Sequence, residues 1–332
     1  MDNPFLKIYR LSQLATSYKL KLLRPLGPPC QFGIEATNRC NFKCHFCPQS
    51  NNDHKNVRPV GNLSIEDFRS FIKNIKYTNC GNSNISICLD GEPTLNKNFP
   101  EFIKISNEEG FFPRFSSNGM LLTRELVDKL SPYKYLASVD FSSDSSVFDN
   151  IRGYKGSFYS VLKNVKYLVS TATTARQIKI EIVDITHFPN NPGNANSLVK
   201  MKRLFSADDL PSNIAFWSRE FHNFCGHLDT RYDRLISRRY KLCPYPWSSF
   251  SVTWDGNVVA CCRDTAGRTI LGNAFETSIR DIWYEEKYVS LRKALVEKRV
   301  NEVAACSECD MPYSSSSGRW RIKYLLSSLL RR

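Results

Sequence analysis

Three cysteines, Cys40, Cys44 and Cys47, lie within eight residues at the spacing C-x3-C-x2-C. Thiolates bind zinc and iron–sulfur clusters, and a closed site of either kind takes four protein ligands. The next cysteine along the chain is Cys80, so this spacing supplies three ligands and leaves one position to another group. An iron–sulfur cluster with one iron free of protein ligands is an open Lewis-acid site that can bind a small molecule directly.

Two alternatives for these cysteines are a disulfide framework and a zinc site. No apolar run approaches the ~18–20 residues of a membrane span. Lys7 and Arg10 interrupt the N-terminus before an apolar run develops, so no secretory signal is expected. A cytoplasmic location follows, and twelve cysteines in a reducing compartment indicate metal sites rather than disulfides. Zinc stays open, with His45 or His54 as a fourth ligand.

The elements that would position the three cysteines alternate between strand-like and helix-like patterns. Strand-like runs fall at Gln31–Ala36, Asn84–Leu89, Pro113–Ser117, Tyr135–Phe141, Ile178–Val183 and Asn213–Trp217. Helix-like segments fall at Ser64–Tyr77, Phe99–Glu109, Thr123–Leu130, Ser157–Ser170 and Ala195–Phe205. Six strands with helices between them predict a parallel sheet with right-handed crossovers. Functional loops follow the carboxyl ends of strands in such folds, and the cysteines follow the first strand.

The pattern changes after residue 218, where a polar, charge-rich connector leads into a smaller region with its own cysteines. Apolar residues alternate up to Asp255-Gly256 and resume at Val258, which predicts a β-hairpin. A single helix is predicted over Ser278–Lys298. Four thiols at C-x17-C-x44-C-x2-C are enough to close a cluster or a structural zinc site. They belong to Cys243, Cys261, Cys306 and Cys309.

At the first cysteine set the sequence resembles the radical SAM (S-adenosylmethionine) superfamily, whose C-x3-C-x2-C motif holds a [4Fe–4S] cluster. Phe46, just before the last cysteine, also fits the family pattern. The segment Leu89–Leu95, LDGEPTL, resembles the family's Gly-Gly-Glu-Pro segment, whose backbone receives the SAM ammonium group. The resemblance implies cofactor-binding roles for Gly91 and Glu92. Asp90 replaces the first glycine, and Asp is among the better substitutes in the left-handed region.

Three later segments, each at or just beyond the end of a predicted strand, extend the resemblance. SSNGMLL resembles the family's Thr/Ser-Asn-Gly segment, which implies that Asn118 binds the cofactor. SVDF resembles the Ser-hydrophobic-Asp segment, which implies that Ser138 contacts the SAM ribose. FDNIRG resembles the segment H-D-x-x-R-G, which implies that Arg152 pairs with the SAM carboxylate. A planar guanidinium is well suited to that task.

The resemblance implies an α/β fold: a partial (β/α)6 TIM-type barrel with a small C-terminal α+β iron–sulfur domain. The second cysteine set and its surrounding CPYPW, WDGNVVACC and SIRDIW segments resemble the SPASM/twitch domains of radical SAM enzymes. Its four cysteines would ligate one auxiliary [4Fe–4S] cluster, with Cys262 as an alternative ligand to Cys261. Family epimerases return a hydrogen atom from a cysteine thiol, so Cys262 and Cys225 are candidate catalytic residues.

The chain is therefore divided into five segments. These are a basic N-terminal helix (1–29), a radical SAM partial barrel (30–218), a connector (219–239), an SPASM/twitch auxiliary cluster domain (240–315) and a basic amphipathic tail (316–332). The net charge is +14, and the two ends carry most of it. Because the body is only mildly basic, no nucleic-acid partner is expected. The basic amphipathic ends allow peripheral contact with an anionic membrane surface.

The implied activity is reductive cleavage of SAM to a 5′-deoxyadenosyl radical that abstracts a hydrogen atom, with electrons from a reductant such as flavodoxin or ferredoxin. The chain resembles twitch enzymes acting on cyclitols, amino sugars and nucleotide sugars. A carbohydrate-like small molecule is therefore the expected substrate, in a dehydrogenation or an epimerisation. A base for a hydroxyl-bearing carbon has four candidates in the sequence: Glu220, His222, Asp264 and His187.

Two other functions stay open. The first is a peptide or protein side-chain maturase. Such enzymes commonly carry a leader-binding winged-helix module, for which the first 29 residues are too short, so the small molecule is favoured. The second is a non-catalytic iron–sulfur or zinc-binding protein with a degenerate barrel, for which the Asp90 departure is the main indication.

Overall fold

The computed structural model describes residues 4–51, 57–186, 196–218, 222–228 and 239–313. By internal contacts the chain divides into two units. The terminal unit comprises Met1–Ile34, Glu66–Asn84 and His222–Arg332, and the central unit comprises Glu35–Ile65 and Ile85–Phe221. The predicted N-terminal helix thus groups with the predicted auxiliary domain. The predicted tail, most of the predicted connector, Glu220 and His187 lie outside the described residues.

The helices and strands follow one another in the order expected for βα repeats with an appended region. They are α1 (Pro4–Lys19), β1 (Gln31–Ile34), α2 (Ile65–Thr78), β2 (Asn84–Ser86), α3 (Phe99–Glu108), β3 (Phe112–Ser117), α4 (Arg124–Leu130), β4 (Tyr135–Phe141), α5 (Ser145–Arg152), α6 (Ser157–Thr174), β5 (Ile178–Asp184), α7 (Ser197–Leu204), β6 (Ile214–Ser218), α8 (Tyr245–Ser248), β7 (Ser249–Val252), β8 (Asn257–Val259), β9 (Ile270–Asn273), α9 (Ile279–Tyr284) and α10 (Glu286–Val296). Short 3-10 turns occur at Pro48–Ser50, Pro93–Leu95, Ala207–Asp209 and Val300–Glu302.

The central unit is built on strands in the sequential order β2, β3, β4, β5, β6. From β3 to β6 the neighbours pair in parallel. Six of the seven residues of β4 are buried, as expected for a strand covered on both faces. Helices cover the sheet with aromatic rings, such as Phe99 against Phe115 at 4.9 Å between centroids. The predicted α/β class with a parallel sheet is therefore confirmed.

In the terminal unit, β1 pairs in parallel with β7, from Gln31↔Ser249 to Ile34↔Val252. β7 and β8 form the predicted antiparallel hairpin. Gly256, in its turn, has φ +88°, and an added Cβ would lie 2.4 Å from Asn273 Oδ1. The turn therefore requires glycine, which is why the Asp-Gly pair predicted it correctly.

The predicted single helix over Ser278–Lys298 is wrong, because two helices occupy this range. α9 and α10 are separated by Glu285, whose backbone is extended at φ −69° and ψ 160°. Arg292 accounts for the break: its Nη1 donates to the Trp283 carbonyl at 2.9 Å, and its guanidinium lies 4.3 Å from the Trp283 ring. A carbonyl turned toward a buried guanidinium does not continue the helical ladder.

Helix α5 was not predicted from sequence. Asp144 begins it, since its side chain accepts from the amides of Ser146 and Val147, which is a recognisable N-cap. The predicted helix start at Thr123 is confirmed, with Thr123 accepting from Leu126 N.

Helix α1 is anchored within the terminal unit. Tyr18 Oη donates to Leu242 O at 2.5 Å, whereas Phe5 and Ile8 are exposed. Among the described residues no helix is both long and apolar enough to cross a membrane. Peripheral membrane contact stays a prediction.

Candidate active site

The loop that carries the C-x3-C-x2-C cysteines is held by backbone hydrogen bonds to the end of α5. Lys43 N donates to Arg152 O at 3.2 Å, and His45 N donates to Ile151 O at 2.9 Å. Gly153 follows with φ +64°, and an added Cβ there would lie 2.7 Å from Lys43 O. The loop can approach the helix this closely only because that position is glycine.

The three loop cysteines lie largely within protein, with Cys44 buried. Burial raises the pKa of the Cys40 thiol to about 12 and raises the pKa of the Cys47 thiol as well. Iron ligation requires thiolates, so binding of a cluster at this loop releases protons.

Arg152 lies against the cysteine loop. Its Nη1 donates to Cys44 Sγ at 3.3 Å and its Nη2 donates to Asp140 O. Its Nε is buried and has no hydrogen-bond acceptor within the described part of the chain. The rings within 5.3–5.7 Å of the guanidinium carbon are Phe42, Phe46 and Phe148. A cation with a spare donor beside the loop fits an anionic cluster or cofactor, while the pairing with the SAM carboxylate stays a prediction.

Glu92 joins the loops after β2 and β3. Its Oε1 accepts from Thr94 Oγ1 at 2.6 Å and Ser117 Oγ at 2.9 Å, and its Oε2 accepts from Asn118 N at 2.7 Å. Burial raises the pKa of this carboxyl. The observed role of Glu92 is to brace the loops, and contact with the cofactor stays a prediction.

The remaining predicted cofactor residues lie within a strand or in the loops that follow strands. Gly91 has φ +68°, and an added Cβ would lie 2.4 Å from Thr37 O. Asn118 Nδ2 donates to Asn41 Oδ1 at 2.8 Å, which ties the loop after β3 to the cysteine loop. Ser138 is buried in β4. Its contact with the SAM ribose stays a prediction.

The aspartate that departs from the family glycine has buried partners. Asp90 Oδ2 accepts from Gln49 Nε2 at 2.7 Å and lies 3.7 Å from Arg58 Nη2. Arg58 donates two hydrogen bonds to Glu35, at 2.9 and 2.7 Å. Cys40, Gln49, Arg58 and Asp90 line a cavity of about 190 Å³. Sequence reasoning missed Gln49 and Arg58, although a buried acid at position 90 signals a need for such partners.

In the terminal unit, the four cysteines of the second set line one cavity, together with Tyr245 and Arg263. They are Cys243, Cys261, Cys306 and Cys309. Cys262 is exposed and does not line this cavity, so the geometry favours Cys261 as the ligand. Four thiols around one space match the donor set of a protein-closed cluster.

Two candidate bases within this unit are engaged in turns. Asp264 accepts from Arg268 N at 2.8 Å and from Thr269 N at 3.1 Å. His222 Nδ1 accepts from Phe224 N at 3.2 Å. A role for either residue as a general base stays a prediction.

Comparison with family models places each cysteine set within a known type of domain. The Radical SAM superfamily model matches residues 34–186, which contain the C-x3-C-x2-C loop. The SPASM model, an iron–sulfur cluster-binding domain, matches residues 243–310, which contain the four cavity cysteines. The chain belongs to the radical SAM superfamily and carries an SPASM domain. Its cofactors are SAM and [4Fe–4S] clusters, one in each domain, so the zinc and disulfide alternatives are excluded.

Among proteins of known activity, the chain is similar to the S-adenosyl-L-methionine-dependent 2-deoxy-scyllo-inosamine dehydrogenase of Niallia circulans. The two are 23% identical, over 83% of this chain and 91% of that protein. It is also similar to the subtilosin biosynthesis protein AlbA of Bacillus subtilis, with 25% identity over 90% of this chain and 69% of AlbA.

Solved structures show the same fold. BtrN in complex with AdoMet and 2-DOIA matches with a TM-score of 0.56 and 19% identity, over 85% of this chain and 92% of BtrN. The structure of anSMEcpe with bound AdoMet matches with a TM-score of 0.58 and 17% identity, over 92% of this chain and 95% of anSMEcpe. The partial barrel predicted from the family resemblance is therefore confirmed.

Proposed function

We propose that this radical SAM enzyme abstracts a hydrogen atom from a sugar, aminocyclitol or nucleotide-sugar substrate. The observation that carries the proposal is the similarity to an aminocyclitol dehydrogenase over 83% of this chain and 91% of the relative. The four-cysteine cavity supports an oxidation, because removal of a hydrogen atom leaves a second electron that needs an acceptor.

The chain divides the chemistry between its two cysteine sets. The first set would hold the SAM-binding cluster and the second set the auxiliary cluster. When bound, these groups and SAM supply the cleaving electron, an acceptor for the second electron, and the radical that takes the hydrogen. The protein's own residues position and shield: Arg152 places a cation at the cysteine loop, and Glu92 fixes the loops after β2 and β3. Three buried aromatic rings surround the Arg152 guanidinium and shield it from solvent.

The test is an anaerobic assay with reductant, SAM and a panel that includes 2-deoxy-scyllo-inosamine, amino sugars and nucleotide sugars. We expect one class to raise 5′-deoxyadenosine above the substrate-free level, and deuterium at the reacting carbon to appear in that product. With unlabelled substrate in H₂O, a product lighter by two hydrogens indicates dehydrogenation. A product of unchanged mass in H₂O that becomes one mass unit heavier in D₂O indicates epimerisation. Cys44→Ala is the control and should abolish cleavage. If no panel member stimulates cleavage by a fully loaded enzyme, the proposal is wrong.

A peptide substrate is the second candidate, favoured by the similarity to AlbA over 90% of this chain. Precursor peptides belong in the same assay. Stimulation by a peptide and by no small molecule would replace the first proposal. SAM cleavage by the loaded protein would also exclude the non-catalytic alternative.

A further inference from the structure

A fifth thiol lies against the four-cysteine cavity. Cys225 is 1% exposed and packs in one buried cluster with Tyr245, Met311 and Cys309. Its Sγ is within hydrogen-bonding reach of the thiols of both Cys261 and Cys309. It therefore contacts two of the four cavity cysteines without lining the cavity itself.

The segment that carries Cys225 is tied to the C-x2-C turn. Asn223 N donates to Asp310 Oδ2 at 2.9 Å, and Asp310 N donates to Asn223 Oδ1 at 3.2 Å. Asn223 Nδ2 donates to Glu308 O at 2.6 Å. Arg268 Nη1 donates to Cys225 O at 2.7 Å. These bonds fix the position of the fifth thiol relative to the last two ligands.

The backbone at Cys225 is also unusual. Phe224 and Cys225 have φ values of +46° and +58°, in the left-handed region that residues other than glycine seldom adopt. Such conformations persist where surrounding contacts hold them, and the hydrogen bonds to Asp310, Glu308 and Arg268 do so here. The thiol is thus held in place by its own segment.

We propose that Cys225 is not a ligand and that its thiol hydrogen-bonds to the sulfurs of Cys261 and Cys309 when the auxiliary cluster is bound, which raises the reduction potential of that cluster. A [4Fe–4S] cluster takes four cysteine ligands, which the cavity supplies, so the fifth sulfur has no iron to bind and remains a weak S–H donor. Hydrogen bonds to cluster sulfurs help to set the potential. They favour the reduced form because it carries more negative charge.

This role replaces the sequence-based hypothesis that Cys225 returns a hydrogen atom to substrate, and it does not depend on the proposed substrate. The experiment uses the full chain with the three C-x3-C-x2-C cysteines changed to alanine, so that the measured signal comes from the auxiliary cluster alone. In this background Cys225→Ala should keep about four irons per chain. A redox titration followed by electron paramagnetic resonance then measures the potential.

Cys225→Ala should lower the ratio of reduced to oxidised cluster about tenfold at a fixed applied potential, equivalent to about 59 mV for one electron. Cys225→Ser retains a hydrogen-bond donor, so its ratio of reduced to oxidised cluster should lie between those of the parent and Cys225→Ala. Cys30→Ala is the matched control, since Cys30 is a buried thiol of the same unit whose Sγ donates to Ser248 O at 3.4 Å. It should leave the potential unchanged.

Two results would overturn the proposal. Loss of iron in Cys225→Ala would make Cys225 a ligand, and an unchanged potential at full loading would make it a packing residue only. If the alanine variant does not fold, resonance Raman spectra test the proposal instead. They compare the parent, which retains Cys225, with Cys225→Ser, each in H₂O and in D₂O. The Fe–S stretching bands should shift differently on deuteration, and identical shifts would also overturn the proposal.

Discussion

Arg58→Met tests whether the buried ion pair beside the C-x3-C-x2-C loop stabilises the central unit. The Arg58 side chain is 10% exposed, that of Glu35 is 0% exposed, and their closest N···O distance is 2.7 Å. Asp90, with a side chain 5% exposed, lies 3.7 Å from the same guanidinium. Methionine retains the apolar stem of Arg58 but removes the cation that faces two buried carboxylates.

The expected loss in the free energy of unfolding is large for a single substitution. Removing one partner of a buried ion pair costs about 3–5 kcal/mol. For a unit of about 150–250 residues, 1 kcal/mol corresponds to about 2–4 °C, so Tm should fall by about 6–20 °C. Lys129→Met is the matched control, because Lys129 lies 2.7 Å from Glu125 but these side chains are 59% and 79% exposed. An exposed pair of this kind contributes about 0.3–0.5 kcal/mol.

The assay is calorimetry and urea unfolding of the metal-free protein, which separates folding from cluster binding. The double variant Arg58→Met/Glu35→Met should recover much of the loss, because replacing a buried pair with apolar residues is often neutral or stabilising. If Arg58→Met costs no more than Lys129→Met, the reasoning about burial is refuted. If the double variant is as unstable as the single one, lost packing rather than the stranded charge accounts for the effect.

Three further outcomes are expected. Gly91→Ala should reduce iron from about eight to about four per chain, because the added Cβ would lie 2.4 Å from Thr37 O; full loading would contradict this. Asp144→Ala should lower the free energy of unfolding by about 0.5–2 kcal/mol near neutral pH. Hydrogen bonds, first from Val147 N, lower the pKa of Asp144, so this contribution is present above its unfolded pKa of about 3.9 and should disappear as pH falls through the lower folded value. Equal urea-midpoint differences at pH 7 and in strong acid would show that the charge is not involved. Arg292→Met should lower the Tm of the terminal unit, because the buried guanidinium donates to three backbone carbonyls. Its removal would leave these acceptors unsatisfied, at a cost of about 1–3 kcal/mol each. A calorimetric Tm within a degree of the parent would contradict this prediction.

The sequence by itself determined the class of protein and predicted the two ligand sets. Ligand spacing is a local property, so C-x3-C-x2-C and the final C-x2-C could be recognised without coordinates. Strand β4 is observed at its predicted bounds, Tyr135–Phe141, because five of its seven residues are apolar, as is typical of a buried parallel strand. The hairpin at Asp255-Gly256 was predictable because its turn requires glycine.

Only the tertiary structure decided what lies around these local signals. Arg58 lies 32 positions from Asp90, yet its guanidinium shows how the central unit accommodates an acid in place of glycine. The contacts of Arg292 accompany a break in the segment that the sequence pattern predicted to be one continuous helix. Cys225 appeared in the sequence as a spare cysteine, and its contact with Cys261 and Cys309 emerged only from folding. In each case the partner is distant along the chain, and burial and contact between distant residues leave no periodic signal in the sequence.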